Sequence, residues 1–302
     1  MKNLVIILVV FLLTSAKMIS ENRPYAIFDA STGEKIDIKT LAERSQKFDA
    51  IYFGEFHDDT TIHEIQVAYL EAMFNVSNKL AVSFEMFERD AQESINDYLS
   101  GKINEEEFLK KSRPWPDYKL FYRSILELAK TKNAPVIAAN VPRMYAGMYT
   151  GLGMTGLDKL PPEQRAMIAK NMLIEEDDDY YKNFRKTMLN NMGVDSNSIL
   201  KPNQDNTLIL YYGAQLIKDE TMAESIVNFL KANTGFKVIH YNGDFHSNNY
   251  LGTVKKVIQR NKDIKNAIIT PTYIDSEKPL DFDNNFKGNN NKVISIIVGV
   301  PG

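Results

Sequence analysis

Short apolar runs alternate with longer stretches of helical spacing along this chain. Asp49-Ala50-Ile51-Tyr52-Phe53-Gly54 is an apolar segment closed by glycine and reads as a buried strand. Residues 61–74 follow with Ile62, Ile65, Leu70 and Met73 at helical intervals. Leu80-Ala81-Val82-Ser83-Phe84-Glu85 reads as a second strand. A polar helical region spans about 89 to 132, where Asn104 followed by three glutamates marks a helix start. Ala134 to Ala139 is a third strand, Phe236 to Tyr241 a fourth, Ala267-Ile268-Ile269 a fifth and Val293 to Val298 a sixth. Strands separated by helices imply βαβ units. The expected fold is therefore α/β: a mainly parallel sheet with flanking helices and an inserted, smaller all-helical subdomain.

The insertion is expected because residues 143–235 contain no strand candidate. Helical stretches are expected at Glu163 to Leu173, Tyr180 to Met192 and Leu208 to Leu230. The insertion is rich in methionine: Met144, Met148, Met154, Met167, Met172, Met188 and Met192. Methionine fills irregular apolar space, so these side chains fit either an ordinary helical core or a soft-walled pocket for a large flat ligand. Residues 281–292 form an Asn-rich polar loop. At the other end, Lys2 precedes the apolar run Leu4 to Leu13, and Thr14-Ser15-Ala16 offers small residues for cleavage. This is the pattern of a secretory signal peptide. The run is short for a membrane span. The expected division is a signal peptide over 1–20, a sheet domain over 21–142 and 236–302, and a helical subdomain over 143–235.

Charge and cysteine content narrow the chemistry. The net charge of the 302 residues is -3, which argues against a general nucleic-acid binder. There is no cysteine, so disulfides, thiolate metal sites, a Cys nucleophile and lipidation at Cys are excluded. The mature protein is expected outside the cytoplasm, periplasmic or associated with the cell envelope, and not as a lipoprotein.

The four histidines are His57, His63, His240 and His246. Two recur in one local pattern, Gly54-Glu55-Phe56-His57 and Gly243-Asp244-Phe245-His246, each directly after a strand. Ligands of open α/β sheets gather at the carboxyl ends of the strands. The pattern thus delivers His57, His246, Glu55, Asp244 and, from a third strand end, Glu85 to one rim; a fourth strand end adds Asn140 and Arg143. Such a set suits a divalent metal such as zinc or manganese. It also suits general acid–base chemistry without metal. Carboxylates crowded together repel, and a divalent ion would relieve that repulsion. His63 reads equally as a capping, core or ligand histidine, and His240 as a core residue. Tyr180-Tyr181 and Tyr211-Tyr212 lie in the insertion. Phenolate oxygen is a ligand for haem iron, and Lys182, Arg185 and Lys218 are basic groups able to meet propionates.

Taken together, several segments resemble the ChaN family of bacterial haem-binding proteins in the Tiki and TraB superfamily. They are Gly54-Glu55-Phe56-His57-Asp58-Asp59 with His63 and Gln66, Phe84-Glu85-Met86, Asn140-Val141-Pro142-Arg143, Ala214 to Ala223, and Gly243-Asp244-Phe245-His246. The resemblance runs in order from about 47 to 250. It implies an exported protein of haem and iron uptake that binds haem at a homodimer interface, with an outer-membrane haem receptor as a partner. It further implies a tyrosine from one subunit on each iron, and a His and a Lys from the other on the propionates. Carried onto this chain, Tyr212 is the first candidate for the iron, Tyr211 and Tyr181 follow, and Lys218 and His63 are the propionate candidates. The wider superfamily implies an alternative, a metal-dependent hydrolase using His57, His246 and Glu85.

Overall fold

The computed structural model describes residues 25–172, 178–273 and 294–297. Its centre is a five-stranded sheet built from β3 (Ala50–Glu55), β4 (Leu80–Glu88), β5 (Val136–Asn140), β6 (Lys237–Gly243) and β7 (Asn266–Ile269). The spatial order is β5-β4-β6-β3-β7, and every neighbouring pair is parallel. These are five of the apolar runs read from the sequence. Both faces of each run are covered, which is why they lack polar alternation.

A second, three-stranded antiparallel sheet holds β1 (Ala26–Asp29) between β2 (Glu34–Ile36) and β8 (Ile294–Ile297). The sixth strand is thus present, but it pairs with β1 and not with the parallel sheet. The signal-peptide segment and the Asn-rich loop lie outside the described residues.

One face of the parallel sheet is covered by α1 (Ile38–Ser45), α2 (Thr60–Val76), α3 (Gln92–Leu99), α4 (Glu105–Ser112) and α5 (Arg123–Thr131). Asn104 caps α4 by accepting from the Glu107 amide at 2.9 Å, as its sequence position implies. A single π-helical turn, Tyr118–Tyr122, leads into α5. The free edge of β5 is closed by a side chain: the Gln92 carboxamide donates to Val136 O and accepts from Ala138 N, both at 2.8 Å.

Residues 143–235 contain only helices among the described residues: α6 (Arg143–Leu152), α7 (Met154–Leu157), α8 (Pro162–Arg165), α9 (Asp179–Asn191) and α10 (Pro202–Ala232). The helix expected over 163–173 is only the one-turn α8. Residues 173–177 lie outside the described residues. The last part of α10 lies on the second sheet face with α11 (Gly252–Arg260), where Met222, Ala223 and Ile226 join Tyr52, Val238 and Val257 in one core. Insertion and sheet therefore share this helix. The methionines mostly serve packing: Met148, Met154, Met167 and Met172 border a small core around Tyr145, Tyr149 and Ile168.

α6 and α10 meet at Gly213, where a Cβ would sit 2.0 Å from the Tyr149 ring. Replacing an interior helical glycine by alanine ordinarily adds stability. Here Gly213→Ala should instead destabilise by about 1–3 kcal/mol, because the buried ring must move. A urea midpoint equal to or above wild type would refute this close packing.

Candidate functional site

The carboxyl ends of β3, β4 and β6 form one rim, and the rim carries two hydrogen-bonded clusters on opposite sheet faces. Glu55, the last residue of β3, is buried on the α2 side. Its Oε1 accepts from Tyr122 OH at 2.7 Å and from His57 Nδ1 at 2.9 Å. Its Oε2 accepts from Gln66 Nε2 at 2.8 Å. His63 packs behind, stacked on Phe121, with Nδ1 2.9 Å from Gln66 Oε1 and Nε2 3.1 Å from the His57 carbonyl. His63 is thus enclosed and supports Glu55. The His57 side chain is 47% exposed and stands edge-on to Trp115. Burial opposes its charge, but the bond to Glu55 and the field of Glu85 outweigh that and raise its pKa.

The other cluster centres on His246, which is buried between two carboxylates. Nδ1 lies 2.7 Å from Asp219 Oδ1 and Nε2 lies 3.2 Å from Glu85 Oε1. Asp219 also accepts from Thr253 and Tyr180 hydroxyls, at 2.8 and 2.7 Å. Glu85 Oε2 accepts from the Gly243 amide at 2.8 Å. Burial alone would lower the His246 pKa, yet Glu85 and Asp219 hold it up at about 10. Burial would raise Glu85, but His246 first, then His57 and Lys218, hold it far below the usual carboxylate range. The two carboxylates thus favour the protonated form of His246.

The clusters meet over Gly243. A Cβ there would lie 2.9 Å from the His57 ring and 3.6 Å from Glu85 Oε2, so only glycine lets the imidazole cross the strand end.

This geometry places the residues of the expected metal set. His57, His246, Glu55 and Glu85 do converge on one rim, but Asp244 does not join them. In the sheet, Glu55 pairs with Gly243 and Gly54 with Asn242, so the two Gly-acid-Phe-His segments are offset by one residue. An offset of one sends side chains to the other face. Asp244 instead accepts from Asn248 at 2.8 Å, and its Oδ1 abuts Gly54 without a hydrogen-bond partner. Nor does His246 offer an ion a free nitrogen. A histidine ligand needs a free nitrogen lone pair, and both His246 nitrogens face carboxylates. Among the described residues no group of three His, Cys, Asp or Glu side chains is arranged to hold a metal. His246, between Glu85 and Asp219, can itself supply positive charge against carboxylate repulsion.

The tyrosines separate by exposure. Tyr212 is 0% exposed, packed against Tyr180, Tyr181 and Phe184, and its hydroxyl donates to Asp178 at 2.9 Å. Tyr181 is half-buried edge-on to Tyr212. Tyr211 is 48% exposed. Helical spacing puts Tyr211, Gln215 and Lys218 on one face of α10, and Gln215 and Lys218 are half-buried. Gln215 reaches the rim, with Nε2 within 3.2–3.3 Å of both His246 nitrogens and 3.2 Å from Tyr180 OH.

The family model for haem-binding uptake proteins of the Tiki superfamily, ChaN, matches residues 41–257. The chain belongs to the ChaN family. That match spans both clusters and the Tyr211–Lys218 face. Among solved structures, the chain is similar to ChaN of Campylobacter jejuni, described with cofacial haem binding: 19% identity, 91% of this chain and 96% of that chain covered, TM-score 0.65. This likeness bears out the α/β fold. Weaker similarities link it to the type III effector HopBA1 (11% identity, 92% and 96% covered, TM-score 0.48) and to an erythromycin esterase, EreC, in its open conformation (11%, 84% and 78%, TM-score 0.46). None of the curated proteins matches.

Three members of this ChaN site carry no role in the sequence reading: Asp219, Tyr180 and Tyr122. Asp219 stands inside the Ala214–Ala223 segment, among the buried neighbours Ile217, Glu220 and Thr221. Tyr122 gives no sequence signal. His240 proves a core residue: burial lowers its pKa to about 3, Ser83 Oγ lies 2.9 Å from Nδ1, and Nε2 has no partner.

Proposed function

We propose that this chain is an exported haem-binding protein of bacterial haem and iron uptake, holding haem iron through a tyrosine at a homodimer interface. The family match supports haem as the ligand. The observation that carries the tyrosine reading is the exposed phenol of Tyr211, sharing one face of α10 with Gln215 and Lys218. Tyr211 replaces Tyr212 as first candidate, because Tyr212 would have to leave Asp178 and its aromatic shell. Haem bound here would offer its iron to the Tyr211 oxygen, and Lys218 would meet a propionate as a cation. His63 is enclosed and is not assigned a propionate. Close by, Met144 is 60% exposed on α6, the helix packed against α10, and adds apolar surface. An outer-membrane haem receptor is the proposed partner, and the periplasm or cell envelope the proposed location.

Haem titration followed by absorption tests this. Wild type is expected to give a ferric high-spin phenolate spectrum and to dimerise on haem addition, read by light scattering. Tyr211→Phe keeps the ring and removes the ligand, so the spectrum should change and affinity should fall at least tenfold. Tyr211→Phe with an unchanged spectrum would sink this assignment, and a change in Tyr181→Phe would move the ligand there.

A second reading rests on His57. Glu55 fixes its Nδ1, and the ring is half-exposed at a strand-end rim, an arrangement suited to acid–base hydrolysis. Among the described residues, the metal-dependent form of that reading lacks a ready-made group of three ligands. Ester hydrolysis by wild type that His57→Ala abolishes would favour it; no turnover by wild type would dismiss it.

A further inference from the structure

The opposite end of the parallel sheet is basic, although the chain as a whole carries a net charge of -3. Each of the five strands is preceded by, or begins with, a lysine: Lys47 before β3, Lys79 before β4, Lys132 before β5, Lys237 opening β6 and Lys265 before β7. The backbone places them along one line. Lys237 N donates to Lys79 O, Val238 N to Asp49 O, and Ala50 N to Lys265 O, so these residues form the last rung of the sheet. Five strands at about 4.8 Å spacing make a row about 19 Å wide.

Helix ends favour cations at this rim, since α2, α5, α10 and α11 all finish here. That accounts for Lys79 and Lys237, whose ammonium groups donate to Thr234 O and Phe48 O at 3.5 and 2.8 Å. Lys132 stands at the C-cap of α5 and Lys262 just past the end of α11, while Lys265 lies outside any helix end. These are exposed, and no described carboxylate pairs with them. The acids in the same connecting segments are Asp49 and Asp263, and Asp49 accepts from the Lys265 amide. Half-buried Phe48, Phe74 and Phe236 stand among the lysines. Shallow grooves of about 500 and 300 Å³ flank Asn133, Ala134 and Pro135, and Phe74 and Phe236 line the smaller.

We propose that this rim docks on an anionic phospholipid surface. A row of lysines without arginine suits a diffuse plane of charge, whereas discrete phosphate or carboxylate recognition favours the arginine fork. Phenylalanines among the cations add apolar contact at a headgroup layer. Docking through this end turns the His57–His246 rim and its haem-family site away from the bilayer, because the two rims are the opposite ends of one parallel sheet. The proposal is independent of which tyrosine holds iron.

Flotation with phosphatidylcholine vesicles containing phosphatidylglycerol tests it, using the mature chain at about 50 mM salt. Wild type should float with these vesicles, release at 0.5 M salt and ignore pure phosphatidylcholine. The triple reversal Lys132→Glu, Lys262→Glu, Lys265→Glu should lower partitioning by about 100-fold or more, from the pull of the surface on each lysine. Lys159→Glu, an exposed change elsewhere, should float as wild type does. Circular dichroism and melting of each variant establish that it is folded. No flotation of wild type, or equal flotation of the triple variant, would overturn the proposal. Retention on a soluble polyanion such as heparin without vesicle binding would also overturn it.

Discussion

Replacing His246 by Gln should cost about 3–5 kcal/mol at pH 7, the usual penalty for removing one partner of a buried ion group. Glutamine keeps hydrogen-bonding capacity but removes the charge that Glu85 and Asp219 share. Both carboxylates stay buried, one held by the Gly243 amide and the other by Thr253 and Tyr180. With domains stable by only 5–15 kcal/mol, such a loss is large. The sign with pH follows from the shifts. His246 is raised above its unfolded value, so its contribution is complete below about pH 6.5 and disappears as pH climbs through about 10. Glu85 is lowered, so its contribution is present above its unfolded value and is lost on acidification. Wild type should therefore be steady only from about pH 5 to 6.5 as far as this group is concerned, and should lose stability progressively as pH rises from about 6.5 toward 10. The His246→Gln variant should recover part of its deficit near pH 4, where its carboxylates can take protons. Adding Asp219→Asn should recover part of it at pH 7, because one of the two stranded charges is gone. Denaturant unfolding at the two pH values checks this. A loss below about 1 kcal/mol at pH 7 would show that His246 is not the buried cation.

The parallel sheet was legible because its strands are buried on both faces and therefore read as continuous apolar runs. The same property hid the partner of the sixth run. An apolar segment at 293–298 says that it is a strand, but not whether it joins the parallel sheet or, as found, lies antiparallel to β1. The strands β1 and β2 escaped notice because runs of four and three residues fall below any periodic signal.

At the rim, local repetition misled in one instructive way. The two Gly-acid-Phe-His segments look equivalent, yet the register pairs Glu55 with Gly243, not with Asp244. The acid that matches Glu55 in role on the second face is Asp219, and it comes from α10, far away in sequence. Strand-end residues can be read because the topology guarantees a shared rim. Residues delivered by packing helices, such as Asp219, Tyr180 and Tyr122, depend on tertiary contacts that no short pattern encodes. The choice among tyrosines meets a related difficulty. Tyr211 and Tyr212 are adjacent, and one helical step of about 100° separates the exposed phenol from the buried one.

Asp244 supplies the second large effect, and its sign is opposite to that of Glu85. It is buried, no cation among the described residues neutralises it, and its Oδ1 has no hydrogen-bond partner there. Burial pushes its pKa up to about 7, only partly countered by bonds from Asn248 and Thr270. A carboxyl whose folded pKa is raised binds its proton more tightly when folded. Below about pH 3.8 both states are protonated and nothing is lost. Between about 3.8 and 7 the unfolded chain gives up the proton while the folded chain keeps it, so stability falls as pH rises, then levels off. At about 1.4 kcal/mol per pH unit, the loss approaches 4 kcal/mol at most. Asp244→Asn preserves shape and one acceptor oxygen but cannot ionise. It should match wild type near pH 4, where the unpartnered atom at Gly54 is the same handicap in both. It should exceed wild type by up to about 4 kcal/mol at pH 8, with the gap opening through pH 5 to 7. Parallel urea titrations across that range measure the gap directly. A constant difference between the two proteins from pH 4 to 8 would mean that Asp244 is ionised throughout, and that a cation from solvent or from a part of the chain outside the described residues stands beside it.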